Sequence, residues 1–378
     1  MRQSCVNQMK NDITIPVRLQ PGIGLAGMPD RKERTVIPKV LFLIWITVLM
    51  APVSAYSQIT GNVSKVGTVA AAFLEIEVGS RAVGMGGAYV AVADDATAVY
   101  WNPAGLARIS KSEVVLVHTN WLVDTSFDFV AIAIPVGNFG TIGASITSLS
   151  TDEMEVRTVL LPEGTGERFS TSDLSAGLSY ALNLTDRFSI GVNAKYISQK
   201  IWHMSAQGFA LDIGTLFKTN LNGMVIGMSI SNFGTSMRLQ GNDIFVNYDE
   251  APNFGGSNDR IPAFKQTEKY SLPLLLRVGL AMDIISSESN TLTVALNAAH
   301  PNDNTEYVNM GVEYAIGDMV ALRMGYKNTF LRDSEEGITA GVGTKLVLAG
   351  GIALTVDYAY QDFGRLNNAQ MFSLTLEF

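Results

Sequence analysis

The chain is short of cysteine, of charge and of long apolar runs, and each shortage excludes something. Cys5 is the only cysteine in 378 residues, so no intrachain disulfide framework is available. Charged residues make up 16% of the sequence, where about a quarter is usual for a soluble protein. No hydrophobic run reaches the roughly 18 to 20 residues that a membrane-spanning helix needs. What is present instead is 35 glycines and a persistent alternation of apolar with small or polar residues from Leu174 to Phe378. At the end of the chain Phe372, Leu374, Leu376 and Phe378 fall on one side, and Ser373, Thr375 and Glu377 on the other. Period-two alternation describes strands with one oily face and one wet face. A soluble sandwich alternates in the same way. Strand number, hairpin spacing and an export signal favour a transmembrane β-barrel.

The longest apolar run, Val40 to Val53, follows Arg31, Lys32, Arg34 and Lys39 and precedes small residues at Ser54, Ala55 and Ser57. A basic region, an apolar core and a small-residue site describe a secretory signal peptide, with cleavage after Ala55 or Ser57; the run is short for a membrane anchor. Residues 1–57 are read as the leader, with Met28 as an alternative start. The remaining chain holds 20 basic and 32 acidic residues, a net charge of −12, which argues against nucleic acid as a partner. Cys5 leaves with the leader, and no cysteine lies at the cleavage site to carry a lipid.

Fourteen strands are predicted, over residues 113–122, 126–136, 139–150, 173–184, 187–201, 205–219, 222–233, 272–285, 290–300, 305–316, 319–329, 337–348, 351–362 and 369–378. Most have ten or more residues, and about 9 to 11 tilted residues cross a bilayer. The second strand is apolar on both faces and sets its register least clearly. A charge on the lipid side costs roughly 2–4 kcal/mol at mid-bilayer for Arg or Lys. The apolar face is therefore placed outside, and Lys195, Asp212, Arg277, Asp283, Glu313, Arg323, Lys327, Lys345 and Asp357 are expected to face the lumen. Both signs occur, so a mesh of ion pairs is the expectation. Tight turns, such as Gly137–Asn138 and Gly317–Asp318, alternate with longer links, including Thr151–Ser172, Ile201–Met204 and Gly234–Ser271. Short periplasmic turns and longer outer loops have this pattern, and an even strand number puts both termini in the periplasm.

A ring of fourteen strands leaves room inside. Residues 58–112 are expected to fill it as a compact plug, with 113–378 forming the barrel. Within the segment, Ala88 to Ala93 suits a short helix or strand, Asp94 and Asp95 suit a cap or a partner for a lumen arginine, and Asn102–Pro103 reads as a turn. Gly84-Met85-Gly86-Gly87 lacks the spacing of a dinucleotide fingerprint. His118, His203 and His300 lie near the outer strand ends without a nucleophile or ligand spacing beside them. Two adjacent carboxylates without a ligand loop do not make a calcium site. No cofactor, metal or enzymatic activity is expected. Trp121, Trp202 and several tyrosines are candidates for interfacial girdles.

The stretch from Val78 to Leu106 contains Gly79-Ser80-Arg81-Ala82, Gly84-Met85-Gly86-Gly87-Ala88, Ala93-Asp94-Asp95-Ala96 and Trp101-Asn102-Pro103-Ala104-Gly105-Leu106. It resembles the opening of the PorV/PorQ family, within the wider FadL-like group of outer-membrane barrels. The resemblance implies a fourteen-strand barrel with an N-terminal hatch in a Bacteroidetes-type outer membrane. Gly84, Gly86, Gly87, Asp94, Asp95, Trp101, Asn102, Pro103 and Gly105 would be its structural or gating residues. PorV-like members serve type IX secretion by accepting cargo and passing it to surface attachment, which would make secretion-system proteins or cargo the partners. FadL-like members instead move long-chain fatty acids and other hydrophobic compounds, which would make a hydrophobic small molecule the ligand. Membrane lipid surrounds the barrel in both cases.

Overall fold

The computed structural model describes residues 65–250, 252–253, 260–287, 289–317, 319–331 and 334–378. The leader, the alternative start at Met28 and Cys5 lie outside the described residues. The chain falls into two units that meet after Gln58 in sequence, and the unit Ile59–Phe378 holds the whole sheet.

Fourteen long antiparallel strands form that sheet, and the two-residue strand Gln240–Gly241 pairs onto it at Met204 and Ser205. The first seven are β1 (Glu113–Asn120), β2 (Thr125–Pro135), β3 (Thr141–Thr151), β4 (Thr171–Thr185), β5 (Phe188–Ile201), β6 (Met204–Lys218) and β7 (Val225–Gly234). The second seven are β8 (Leu275–Ser286), β9 (Asn290–Pro301), β10 (Tyr307–Ile316), β11 (Val320–Thr329), β12 (Ile338–Val347), β13 (Ala353–Asp362) and β14 (Asn368–Glu377). Each strand pairs with its sequence neighbour, and β1 pairs with β14 from Glu113↔Glu377 to Asn120↔Gln370. The ring is therefore closed, which removes the open edges that a flat sheet would expose. All fourteen predicted strands are present, with ends shifted by a few residues.

Alternation sets the faces. In β4, Leu174, Leu178 and Tyr180 are exposed while Ser175, Ser179 and Ala181 are buried. The exposed row suits lipid, and the buried row faces the interior. β2 explains its own ambiguity: Phe127, Phe129, Ala131 and Ala133 are buried, while Val130 and Ile134 are exposed on the other face. Its inner face is apolar because it joins a hydrophobic cluster with Val78, Trp101 and Leu106 of the preceding segment. The interior is thus not lined by polar side chains throughout, as the charge argument alone would have it.

Two bulges interrupt the ladder near the long-loop end. Asn232 in β7 and Asn328 in β11 have φ of 63° and 53°, a region that asparagine tolerates better than most residues. Each displaced N–H finds a side-chain acceptor on the strand beside it. Asn232 N donates to Asp212 Oδ1 at 2.7 Å, and Asn328 N donates to Asn309 Oδ1 at 2.9 Å.

The connections at the end bearing both strand termini are short. Those at the other end include 152–170, with a small hairpin, and 235–274, where Phe245–Tyr248 pairs with Ile261–Phe264. One predicted long link is not long. Ile201 and Met204 are ladder partners, so Trp202 and His203 alone make the turn, with Trp202 at φ 50° and its ring stacked on His203 at 4.5 Å.

Candidate functional site

Between Ser80 and Leu106 the chain runs around the inner wall from β14 towards β3, with Val99 reaching β5 before Asn102 reaches β6. Ser80 N donates to Ser373 Oγ on β14 at 2.8 Å. Gly84 O accepts from Thr339 Oγ1 on β12 at 3.2 Å. Gly86 lies against β10 and β11, where an added Cβ would fall 2.9 Å from Met310 O and Tyr326 N. Ala91 meets β7 and β8; a Cβ on Gly227 would lie 2.8 Å from its Cα. Asn102 Nδ2 donates to Thr215 O on β6 at 3.1 Å, and Val99 O accepts from Asn193 Nδ2 on β5 at 3.2 Å. Leu106 reaches Gly143 on β3. Little of the lap is regular: helices occur at Ser80–Gly84 and Ala98–Trp101 and a 3-10 turn at Pro103–Arg108, whereas Ala88–Ala93 is neither helix nor strand. Small side chains on both surfaces allow this close approach.

Trp101 sits at the centre. It is fully buried, its indole N–H donates to Val78 O at 2.8 Å, and Tyr89 and Tyr100 meet it edge-on at 5.9 and 5.2 Å. The Arg277 guanidinium lies 5.1 Å from the Trp101 ring centre and 5.3 Å from that of Tyr100. Cation–π attraction gives this wall cation a partner that is not a carboxylate. Asn102 caps the 3-10 turn, with Oδ1 accepting from Ala104 N at 3.2 Å and Nδ2 donating to Val90 O at 2.9 Å. Pro103 follows at the first position of the turn, where its fixed φ fits and no N–H is needed. Gly87 has φ 73°, and Gly105 is held so close to Ala93 O that a side chain has no room.

The charged side chains pair across the interface between segment and wall. Arg81 Nε and Nη2 donate to Glu313 of β10 at 2.9 and 2.8 Å, and Arg81 Nη1 donates to Asp94 at 2.6 Å. Arg323 Nε donates to Glu313 at 2.6 Å, and its Nη1 to Asp357 at 2.6 Å. The arginine that meets Asp94 and Asp95 therefore belongs to the segment itself, not to the wall. Asp95 also accepts from Thr97 N at 2.9 Å, in the manner of a cap. Burial works against the Arg81 charge, but Asp94 and Glu313 outweigh it and hold its pKa above the usual value. Elsewhere Lys327 Nζ lies between Glu77 at 3.1 Å and Glu336 at 2.8 Å. Lys195 meets Asp212 at 2.9 Å, and Lys345 meets Glu377 at 2.5 Å. Asp283 is exposed near the turn end, accepting from Thr293 Oγ1 at 2.7 Å.

The segment has a cavity on either side. One, of about 450 Å³, lies at the long-loop end and is lined by Phe73, Glu75, Trp121, Asp303, Lys327 and Glu336 among others. The other, of about 570 Å³, lies at the turn end around Arg81, Glu113, Arg323 and Lys345. Burial pushes the Glu75 carboxyl up to about 7; the neighbouring Asp303 charge adds to this and Arg277 opposes it.

The family described as Type IX secretion system protein PorV matches residues 59–301. The chain belongs to the PorV family. The match takes in the whole lap and the first nine strands. Solved structures share the architecture. The toluene transporter TodX of Pseudomonas putida is 11% identical, with a TM-score of 0.50 over 79% of this chain and 97% of that one. A FadL homologue of Pseudomonas aeruginosa is 12% identical, with a TM-score of 0.47 over 80% and 98%. At such identity the likeness to TodX is one of fold, a closed antiparallel β-barrel. No curated protein matches the chain.

In this PorV-family chain the three histidines stay apart, each beside its own carboxylate: His118 with Asp128 at 2.7 Å, His203 with Asp243 at 3.0 Å and His300 with Glu306 at 2.9 Å. Among the described residues, no group of three His, Cys, Asp or Glu converges as metal ligands would. The residues that sequence reasoning passed over are Arg81, Glu75, Glu77 and Asp303. Arg81 did carry a signal, being a lone cation in a glycine- and alanine-rich stretch. Asp303 carried none, since it sits in an ordinary polar loop.

Proposed function

We propose that this protein supports type IX secretion or surface attachment by protein contact at its outer end, with the segment from residue 58 to 112 as a hatch closing the lumen. The observation that carries the reading is the family match over residues 59–301. Two features support it. The lap of the inner wall, with ion pairs on its turn-end side, leaves separate cavities at the two ends rather than one channel. In addition, the loop 152–170 offers Val159 and Leu160, exposed by 99% and 89%, with Leu161 beside them. Side chains of that size held in water suit a partner surface. Both termini and the short turns lie in the periplasm on this reading, and the long loops face outward. The charged residues of the wall act structurally, and no reaction is assigned.

Passage of hydrophobic compounds is the second reading. An apolar groove of about 860 Å³ on β3 to β7, lined by Ile146, Leu178, Phe209 and Phe233, favours it. Those side chains are exposed on the outer face, and the β6–β7 ladder runs unbroken beneath apart from its bulge. Ser145, Gly177, Lys195 and Ala210 of the inward rows line it as well.

Co-purification from gently solubilised membranes decides between the two. The secretion reading expects translocon subunits or cargo to come down with the full chain, and to be lost when 157–163 is replaced by a Gly/Ser linker. A barrel that purifies alone, in cells that lose uptake of hydrophobic compounds when it is deleted, would overturn it.

A further inference from the structure

The cavity at the long-loop end has an imbalance that the barrel's architecture does not require. Four carboxylates line it, Glu75, Glu77, Asp303 and Glu336, against the single ammonium of Lys327. Lys327 is already shared between Glu77 and Glu336. Arg277, which acts on Glu75 from the barrel side, is held over the rings of Tyr100 and Trp101, with its Nη2 3.4 Å from Tyr100 OH, and Lys65 touches Asp303 through its backbone N–H, which donates to Asp303 O at 3.0 Å. Glu75 and Asp303 are left without an ion-pair partner among the described residues. Asp303 is only 7% exposed, yet its Oδ1 accepts no hydrogen bond. A buried carboxylate oxygen without a donor is costly and calls for an explanation.

We propose that this cavity binds an organic ammonium group carried on an apolar body. Asp303 and Glu75 would accept its N–H groups, and Phe73, Ile76, Trp121 and Leu149, on the same lining, would cover its apolar stem. A bare metal ion does not suit the site, because among the described residues no three carboxylates converge on one point. An ammonium needs no such convergence; it has three N–H donors and can give each to a separate oxygen. A fatty carboxylate is disfavoured, since it would bring a further negative charge against an unpaired Asp303. The group could arrive on a small amphiphilic amine or as a lysine side chain of an extended peptide. The site stands whether or not the chain serves secretion.

Hexylammonium, hexanoate and hexanol are the probes, with binding to the full chain in detergent measured by equilibrium dialysis at pH 7.5. Hexylammonium should bind at least tenfold more tightly than hexanol, and hexanoate should not bind measurably. Asp303→Asn should weaken hexylammonium by about tenfold, and Glu75→Gln by a similar factor, with hexanol unchanged. A blocked peptide of one lysine between leucines that binds more tightly than hexylammonium, and loses binding on Nε-acetylation, identifies a protein chain as the source. A peptide that binds no more tightly identifies a small amine. Equal binding of hexylammonium and hexanoate to the unaltered protein overturns the proposal, even where a variant fails to fold. Hexylammonium affinity unchanged in both folded variants also overturns it.

Discussion

Arg81 of the N-terminal segment grips Glu313 of β10 with two parallel hydrogen bonds, 2.9 and 2.8 Å long. Such a fork fixes direction as well as distance. Glu313 also takes Arg323, and Arg323 takes Asp357, so one segment residue closes a chain of charges that crosses from β10 to β13. Losing one member of a buried pair costs roughly 3–5 kcal/mol; Arg81 is partly exposed, which puts its loss at the lower end. Arg81→Ala should therefore loosen the segment without unfolding the barrel. In planar bilayers the variant should show channel openings that the parent lacks, and Arg81→Lys, which keeps the charge but not the fork, should show fewer of them. Unchanged conductance in Arg81→Ala would count against the segment as the closure.

Packing holds the lap elsewhere, and glycine is its condition. A Cβ on Gly214 would stand 2.8 Å from Pro103 Cδ, and Gly191 faces the Pro103–Ala104 backbone with no space between. Overpacking of a filled site costs about 1–3 kcal/mol, and more where backbone must move. Gly191→Leu should displace the Asn102–Leu106 stretch and leave residues 72–109 open to protease, while the barrel stays intact as judged by its heat-modifiable migration in gels. Gly337→Ala is the control, since only Tyr326 comes as near as 4.0 Å. Equal protease resistance in the two would mean that the wall glycines do not position the segment.

The strands could be read in the sequence because each carries its own evidence: Leu174, Leu178 and Tyr180 alternate with Ser175, Gly177 and Ser179 whatever they touch. The lap could not, because its order around the wall is set by long-range contacts such as Ser80 with Ser373, and neither residue announces the other. The same holds for polar satisfaction. Asp212 was legible as an inward charge, but its task of accepting the N–H freed by the Asn232 bulge depends on an irregularity that alternation does not signal. Asp94 and Asp95 suit a cap or a lumen arginine; Asp95 does cap Thr97, and the arginine both meet is Arg81 of the same segment. β2 was ambiguous for a physical reason, since an apolar inner face is sensible only when something apolar lies against it.

The outer face makes a separate demand. Leu178 is 69% exposed in mid-strand on β4, beside Ala144 and Ala194 in the ladder. In lipid an arginine there costs roughly 2–4 kcal/mol. Leu178→Arg should lower the unfolding free energy by that amount when the barrel is refolded into vesicles and titrated with denaturant, and Leu178→Phe should leave it nearly unchanged. Equal stability of the Arg and Leu forms would show that this row does not meet the membrane.

Acidity should alter how firmly the segment is held at the long-loop end. Glu75 carries a carboxyl raised from 4.5 to about 7, first by burial and then by Asp303, with Arg277 opposing; Glu77 and Lys327 line the same cavity. Below pH 4.5 the carboxyl is protonated whether the segment is docked or released, so it contributes no difference. Between 4.5 and 7 the released form loses its proton while the docked form keeps it, and docking weakens as pH rises. Above 7 both are charged and the loss levels off. A shift of this size corresponds to about 3 kcal/mol at most, less in proportion to the water that reaches the group. Hydrogen exchange of amides 72–76 should therefore quicken as pH rises from 5 to 7, beyond the intrinsic increase with hydroxide. Glu75→Gln should remove that excess and protect the segment at neutral pH. An excess that persists in Glu75→Gln would assign the dependence to Asp303 instead.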